Sequence, residues 1–500
     1  MPTRLVAAVL LLLAPAAQAD RWAVDAGVAT TLTWSSNAEL GIGASGAQAD
    51  TILNVRPRAT VRGEGARLKV SGSLAVDAAA YANGTQSTRA LPAVDLRGHV
   101  EAVQRFLFID FGTRATRTHQ DLFGIGNNDT ASVNTITTGQ VNLSPYIESA
   151  LSESTRYRIR SDNSWSRDLG DETSQTAAAA GYFGSHQIVL EHDPRPFGWR
   201  GELTRDETRY RSSAIEPIIF DVLRVSADYA LGENLSAGLR FGREHSVRSG
   251  VDSWTRIYGW QTRWQPTQRT SLVAFEEKRS FGSSWNLRFD HRTPKIAWGL
   301  ASSRLLETTP QFALNLPASS NVAGMLDAIF TTRYPDPVER ARVVADFMAT
   351  NGMAGATQQP IAIFAQRLSI ATTNSASLTL IGARSTITFS AFGQRTEDVP
   401  DASLQLLGSA ITNNQQTGAT AAFSYRLSPT LTFNTSADWS RISALKSDDL
   451  TRQASLRAQL ALLLTPKTSA AAGVRYRELR SNVTPEGREG SVFIGLDHRM

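Results

Sequence analysis

The chain has 500 residues, a formal net charge of +5, 41% hydrophobic residues and no cysteine. Such a length accommodates several domains or one very large barrel. The missing cysteine excludes disulfide staples and thiolate metal sites, and the basic residues, nearly all arginine, are dispersed along the chain and do not form the clustered patch of a nucleic-acid binder.

In chain order, the N-terminus reads as an export signal. Arg4 supplies the positive start, Leu5 to Leu13 an uncharged apolar run, and Ala17-Gln18-Ala19 a small-residue cleavage site before Asp20. The run is too short to span a bilayer as a helix, which takes roughly 20 residues. With no cysteine after the site, a lipoprotein is excluded. The expected division is a signal peptide over 1–19 and one barrel domain over 20–500.

From there most of the chain alternates. Leu68, Val70, Gly72, Leu74 and Val76 share one face, and Lys69, Ser71, Ser73 and Asp77 the other. Leu107, Ile109 and Phe111 oppose Phe108, Asp110 and Gly112, while Leu235, Ala237, Leu239 and Phe241 oppose Ser236, Gly238 and Arg240. The same period continues through Trp285-Asn286-Leu287-Arg288-Phe289 and Leu431 to Ser440. Successive strand side chains point to opposite faces, so each segment has an apolar and a polar side. The aromatics Trp254, Tyr258, Trp260 and Trp264 suit an interfacial girdle.

Connections of two kinds join these runs. Leu231–Asn234, Trp264–Thr267, Leu427–Thr430 and Leu464–Lys467 read as tight turns, three of them bearing proline. Asp121–Gly139, Ser246–Ser253, Asp398–Gln416 and Leu445–Asp449 read as longer polar loops. Short turns at one end and long loops at the other are the pattern of an outer-membrane barrel. The last strand carries Val492, Ile494, Leu496 and His498 on one face and ends at Met500, where such barrels commonly end in an aromatic.

One segment breaks the period. Asp336-Pro337-Val338-Glu339 has the acid, proline and glutamate of a helix start. Val343, Val344, Phe347 and Met348 then follow at helical spacing, with Asn351-Gly352 as a stop. Upstream, Val322, Met325, Leu326, Ile329 and Phe330 form a second stripe. The expectation is a helical hairpin over 320–352, acting as a plug, a cap or a docking site.

The predicted fold is thus all-β, a single large antiparallel transmembrane β-barrel of roughly 16–20 strands of about ten residues, with a short helical insert. Its polar faces carry candidate lumen-lining residues Arg156, Arg158, Arg160, Arg240, Arg288, Arg457, Arg475 and Arg477. Such rows either attract an anionic solute or polysaccharide or pair with carboxylates, Glu244, Asp290, Asp438 and Glu478 among them, as ladders that hold the wall. Catalytic signatures are missing: there is no H-E-x-x-H, no G-x-S-x-G and no metal-ligand spacing among the seven histidines. His119 beside Asp121 is the one local pair with the chemistry of a dyad. No enzyme activity, cofactor or metal is expected.

Several stretches resemble the PEP-CTERM system-associated outer membrane protein family. They are Arg105-Phe106-Leu107-Phe108-Ile109-Asp110, Asn142-Leu143-Ser144-Pro145-Tyr146, Phe364-Ala365-Gln366-Arg367-Leu368-Ser369, and Gly382 to Ser390. The resemblance implies a place in an envelope system that makes exopolysaccharide, and it brings no catalytic or binding residues. The leading expectation is an outer-membrane export or transport pore whose partners are outer-membrane lipid, the barrel-insertion machinery and an anionic polysaccharide or small solutes. The alternatives are a closed structural barrel that docks a partner through its helical insert and, behind it, a barrel hydrolase.

Overall fold

A computed structural model describes residues 21–40, 46–119, 122–123, 135–169, 181–210, 216–248, 251–308, 368–399 and 413–500, with isolated positions between 326 and 344. Twenty-two strands, β1 to β22, follow one another from Arg21–Ser35 to Gly487–Arg499. Each is antiparallel to its neighbours in sequence, and β22 closes on β1 from Gly27↔Arg499 to Ser35↔Ser491. The result is one closed sheet without an edge, the arrangement in which every ladder N–H and C=O finds a partner away from water.

The strands that matter below are β2 (Asp50–Glu64), β3 (Leu68–Tyr81), β4 (Arg89–Val103), β5 (Leu107–His119), β6 (Thr135–Ala150), β7 (Thr155–Asp168), β8 (Gly181–His192), β9 (Phe197–Tyr210), β10 (Ile218–Ala230), β11 (Leu235–Arg248), β12 (Val251–Thr267), β13 (Thr270–Arg279), β14 (Gly282–Arg292) and β15 (Ile296–Thr308). They continue with β16 (Leu368–Ile381), β17 (Ser385–Asp398), β18 (Asn414–Arg426), β19 (Leu431–Ala444), β20 (Leu450–Thr465) and β21 (Thr468–Ser481).

Alternation decides the two faces. Leu203, Leu223, Leu239 and Tyr258, on four adjacent strands, are all about half exposed, while Glu202, Arg224, Arg240 and Ile257 between them are covered. Apolar side chains this exposed, in a band around the sheet, have no counterpart on a soluble surface. They form the belt that bilayer hydrocarbon covers. Where the belt meets a glycine, a neighbouring ring fills the gap: Phe111 lies over Gly98, so closely that a Cβ there would stand 2.1 Å from the ring.

At one end the connections run two to four residues, from Gly65-Ala66-Arg67 to Pro466-Lys467. At the other they range from 249–250 to the long segment 309–367. Two expectations are corrected here. Ser246–Ser253 is not a loop: β11 runs to Arg248 and β12 starts at Val251, with Ser246 paired to Ser253. Trp264–Thr267 is not the turn: β12 continues through Pro266 by a register shift between Trp264 and Thr267, and the turn falls at Gln268-Arg269. Proline sits there because a bulge spares the ladder bond it cannot donate. Hairpins this tight explain why the count is 22 and not roughly 16–20.

Within the predicted helical hairpin, Leu326, Asp327, Ile329, Phe330, Arg340, Val343 and Val344 are helical. Arg340 Nε donates to Asp327 Oδ1 at 2.7 Å and its Nη1 to the Tyr334 carbonyl at 3.0 Å. Thr331, Arg333 and Tyr334 are described as well; the rest of 320–352, like residues 1–20, lies outside the described residues.

Candidate functional site: the barrel lumen

All eight arginines singled out from the sequence lie on the face opposite the belt. On β7, Arg156, Arg158 and Arg160 alternate with Tyr157 and Ile159, and Ile159 is exposed. The structure also supplies their partners. Arg156 meets Glu191 at 3.2 Å and Asp193 at 3.1 Å, Arg158 meets Glu148 at 2.7 Å, and Arg160 meets Asp110 at 2.9 Å and Asp162 at 2.8 Å. Arg288 pairs with Asp290 at 2.6 Å, Arg240 with Glu277 at 3.2 Å, and Arg475 with Glu489 at 3.2 Å. Arg477 also binds Glu489. Arg457 lies over the Phe493 ring at 4.4 Å and donates to Gln459 at 3.2 Å. Of the carboxylates expected in the lumen, Glu244, Asp290 and Asp438 are there; Glu478 is on the outward face, opposite Ala454 and beside Tyr476.

The structure gathers these pairs into a ladder that the sequence left unassigned. Glu191 also takes Arg200 at 3.2 Å, and Arg200 reaches Glu202 at 3.5 Å. Arg224 bridges Glu202 at 3.3 Å and Glu277 at 2.8 Å; Arg240 joins at Glu277, and Arg279 links Glu277 at 3.9 Å to Glu244 at 2.6 Å. Charges alternate from β7 to β13, and the central ones are nearly inaccessible: Glu277 is 2% and Glu244 1% exposed. Buried charges survive only when each finds a counter-charge and hydrogen bonds. The signal in the sequence was an arginine or glutamate set between apolar neighbours, as in Leu223-Arg224-Val225. A groove of about 480 Å³ lies along this wall, reaching Arg156, Arg224, Arg240 and Phe275.

A second groove of about 690 Å³ crosses β2 to β6, lined by Arg62, Lys69, Arg97, Arg114, Asp95 and Asp110. Asp95 takes Arg97 at 3.1 Å and Arg114 at 3.6 Å. The wall from β16 to β19 is different: Thr379, Thr388, Ser390, Gln394, Gln416, Thr420, Asn434 and Ser440 are among its lumenal positions, and these are buried.

At the loop end the mouth is narrowed. Leu122 and Phe123 pack against Ile442 on the lumenal face of β19, and Thr451 Oγ1 donates to the Phe123 carbonyl at 3.2 Å. Six strands, β21, β22 and β1 to β4, separate β5 from β20. A circular barrel of 22 strands would measure roughly 44 Å across, whereas Leu122 is three residues beyond His119, a reach of about 11 Å at most. Strands far apart around the sheet are therefore brought together across the mouth. A second apolar bridge joins Ile218 and Phe220 of β10 through Phe281 to Leu368, Ile370 and Val399. Near β1 residues 36–40 fold inward too, Ala38 packing with Ile52 and Tyr81, and Leu40 with Leu479.

Asp50, beyond the belt where β2 begins, anchors this edge. It accepts hydrogen bonds from Thr85 Oγ1 at 2.6 Å and from the Thr51 and Asn83 amides at 2.6 and 2.9 Å. Burial pushes its carboxyl up, but the donors from Thr85, Asn83 and Thr51 outweigh it and hold the group below the usual carboxylate value. The side chain of His119 and all of Asp121 lie outside the described residues. Among the described residues no three His, Asp or Glu side chains are grouped as metal ligands.

The sequence matches no protein-family model and no curated protein. Among solved structures it is similar to the FrpB iron transporter from Neisseria meningitidis (F3-3 variant), at 10% identity and a TM-score of 0.48, over 95% of this chain and 81% of that one. It is also similar to the ferric enterobactin receptor PfeA of Pseudomonas aeruginosa, a mutant form, at 10% identity and 0.46, over 95% and 80%. Against OpdO of Pseudomonas aeruginosa the identity is 9% and the TM-score 0.32, over 96% and 97%. At these identities no residue role is transferred.

Proposed function

We propose that this chain is an outer-membrane transport barrel, exported by residues 1–19, through whose narrowed lumen small polar solutes pass. One observation carries the reading: a single closed sheet is apolar on its outward face and lined by polar and charged residues within. A lumen so lined holds water, and its grooves offer hydrogen-bonding partners along the path. Seven of the eight lumenal arginines expected from the sequence contact a carboxylate, so their field is largely compensated. The pore is then weakly ion-selective, and a strong preference for anions is not expected. No residue is assigned a catalytic role.

Purified protein in planar bilayers tests this. Discrete ohmic steps, with a reversal potential near zero in a salt gradient, are the expected result. A silent bilayer containing correctly folded protein would sink the pore.

The finer reading, service to an exopolysaccharide-producing envelope system, rests on the family resemblance alone. A deletion strain with unchanged surface polysaccharide would remove it. The second functional reading is a closed barrel that docks a partner. It is favoured by the two apolar bridges over the mouth and by the covered lumenal face of β16 to β19. Silent bilayers together with a partner captured only when 320–352 is intact would select it.

A further inference from the structure

The outward face changes character at the loop-side edge of the belt. On β19 its positions run Phe433, Thr435, Ala437, Trp439 and then Arg441. On β20 they run Leu460, Ala458, Leu456, Ala454 and then Arg452, and on β21 Val474 and Tyr476 give way to Glu478 and Arg480. Register sets Arg441 opposite Arg452, and Arg452 opposite Arg480. All three are exposed. Glu478 binds Arg480 at 2.8 Å and Arg488 at 3.3 Å, whereas the side chains of Arg441 and Arg452 make no ion pair or hydrogen bond among the described residues.

The arrangement recurs elsewhere on the barrel. Arg243 stands opposite Arg256, also exposed and also without an ion pair among the described residues. The pair lies between two aromatic pairs of the same outward face, Phe241–Tyr258 on the belt side and His245–Trp254 on the loop side, the latter stacked with centroids 4.5 Å apart.

Like charges directly opposite one another destabilise a sheet, so two such sites on the outward face need an external counter-charge. Their height narrows its identity. Rings at the edge of an apolar belt mark the headgroup level, where the abundant anion is phosphate. A guanidinium fork binds phosphate oxygens bidentately. Three neighbouring strands at about 4.8 Å spacing place three forks within roughly 10 Å, room for more than one phosphate.

We propose that Arg441, Arg452 and Arg480, together with the Arg243–Arg256 pair, hold the phosphates of a lipid headgroup in the leaflet beside the loop end. The inference rests on the membrane reading above and adds a site on the barrel's outer surface, separate from the lumen.

Native mass spectrometry of the full chain in detergent tests it, with diphosphoryl lipid A, phosphatidylglycerol, phosphatidylcholine and inorganic phosphate as probes. Wild type is expected to hold lipid A in preference to phosphatidylcholine, and Arg441→Gln/Arg452→Gln to lower that binding about tenfold or more. Arg288→Gln, a lumenal control, should leave it unchanged. Equal lipid A retention by wild type and the double variant overturns the site. So does full displacement by inorganic phosphate, which would make it a site for free anions. Folding is checked by the heat-dependent gel shift of barrels. If the double variant misfolds, Arg441→Lys serves in its place: it keeps the charge and loses the fork, and undiminished binding by it counts against the site. Wild type that conducts in bilayers but shows no phosphate preference refutes this site alone; wild type that never inserts refutes the membrane reading.

Discussion

The lumen has two walls built on different principles. From β7 to β13 it is a ladder of arginines and carboxylates, each held by its neighbours, with an open groove alongside. From β16 to β19 it is mostly small hydroxyl and amide side chains, many of them covered, and Asp398, Arg426 and Asp438 are the charged lumenal positions of these strands. Thr388 Oγ1, Ser390 Oγ and both polar atoms of Asn434 have no hydrogen-bond partner among the described residues. The charged wall is held by its own ion pairs, although Arg240 Nε is buried without a hydrogen-bond partner among the described residues. Other parts of the chain reach both walls: Leu122 and Phe123 dock on Ile442 of β19, and the Phe281 bridge runs from β10 to β16. The contrast is one of charge: ion pairs hold the first wall, and small neutral side chains make up most of the second.

Substitutions can break this contrast. The largest effect is expected for Glu277→Leu, which leaves Arg224 and Arg240 buried without their shared carboxylate. Breaking a buried network in this way costs about 3–5 kcal/mol, read as a lower urea midpoint for barrel unfolding. A loss below about 1 kcal/mol would mean that the ladder is not a structural unit. Phe123→Ala comes next. Truncating a packed phenylalanine costs about 3–5 kcal/mol in a full core, but here the cost falls on the bridge across the mouth. Single-channel conductance should rise while the heat-dependent gel shift is unchanged; unchanged conductance would place the constriction elsewhere.

Asp50→Asn tests the loop-end anchor and carries a pH signature. Because the folded carboxyl titrates below its unfolded value, its stabilisation is present above the unfolded pKa and is lost as pH falls through the folded one. At neutral pH the variant should lose about 1–3 kcal/mol, seen as faster proteolysis of the segments around 36–49 and 82–88. Variant and wild type should begin to converge as pH falls below the usual carboxylate value of about 4 and meet once it has passed the lower folded one; a difference that does not shrink as pH falls through that range refutes the assignment.

The largely neutral wall should be tolerant. Thr388→Val removes a buried hydroxyl that has no partner among the described residues, so stability should hold or rise by up to about 1 kcal/mol. A marked loss would show that the hydroxyl is satisfied. The smallest effect belongs to Arg288→Gln, whose half-exposed pair with Asp290 should be worth less than about 1 kcal/mol in the same urea titration.

Much of this was legible along the chain. Alternation at Leu68–Val76, Leu235–Phe241 and Leu431–Ser440 named the strands and, by parity, which arginines face inward, because a strand's side chains can do nothing but alternate. Boundaries were less legible where a hairpin closes in two residues. Ser246 to Ser253 is polar throughout and reads as loop, yet Ser246 and Ser253 are cross-strand partners. Pro266 reads as a turn and occupies a bulge.

By itself the sequence determined the all-β barrel, its two chemically opposite faces, the short-turn and long-loop ends and the inward set of arginines. These follow from local period and turn chemistry, which act between residues close in the chain. Only the tertiary structure decided the number of strands, the closure of β22 on β1, the joining of Arg200, Glu202, Arg224, Glu277 and Glu244 into one ladder, and the reach of Phe123 to β19. Each of these depends on register between strands far apart in sequence. A shift of one residue would turn every one of those side chains to the opposite face.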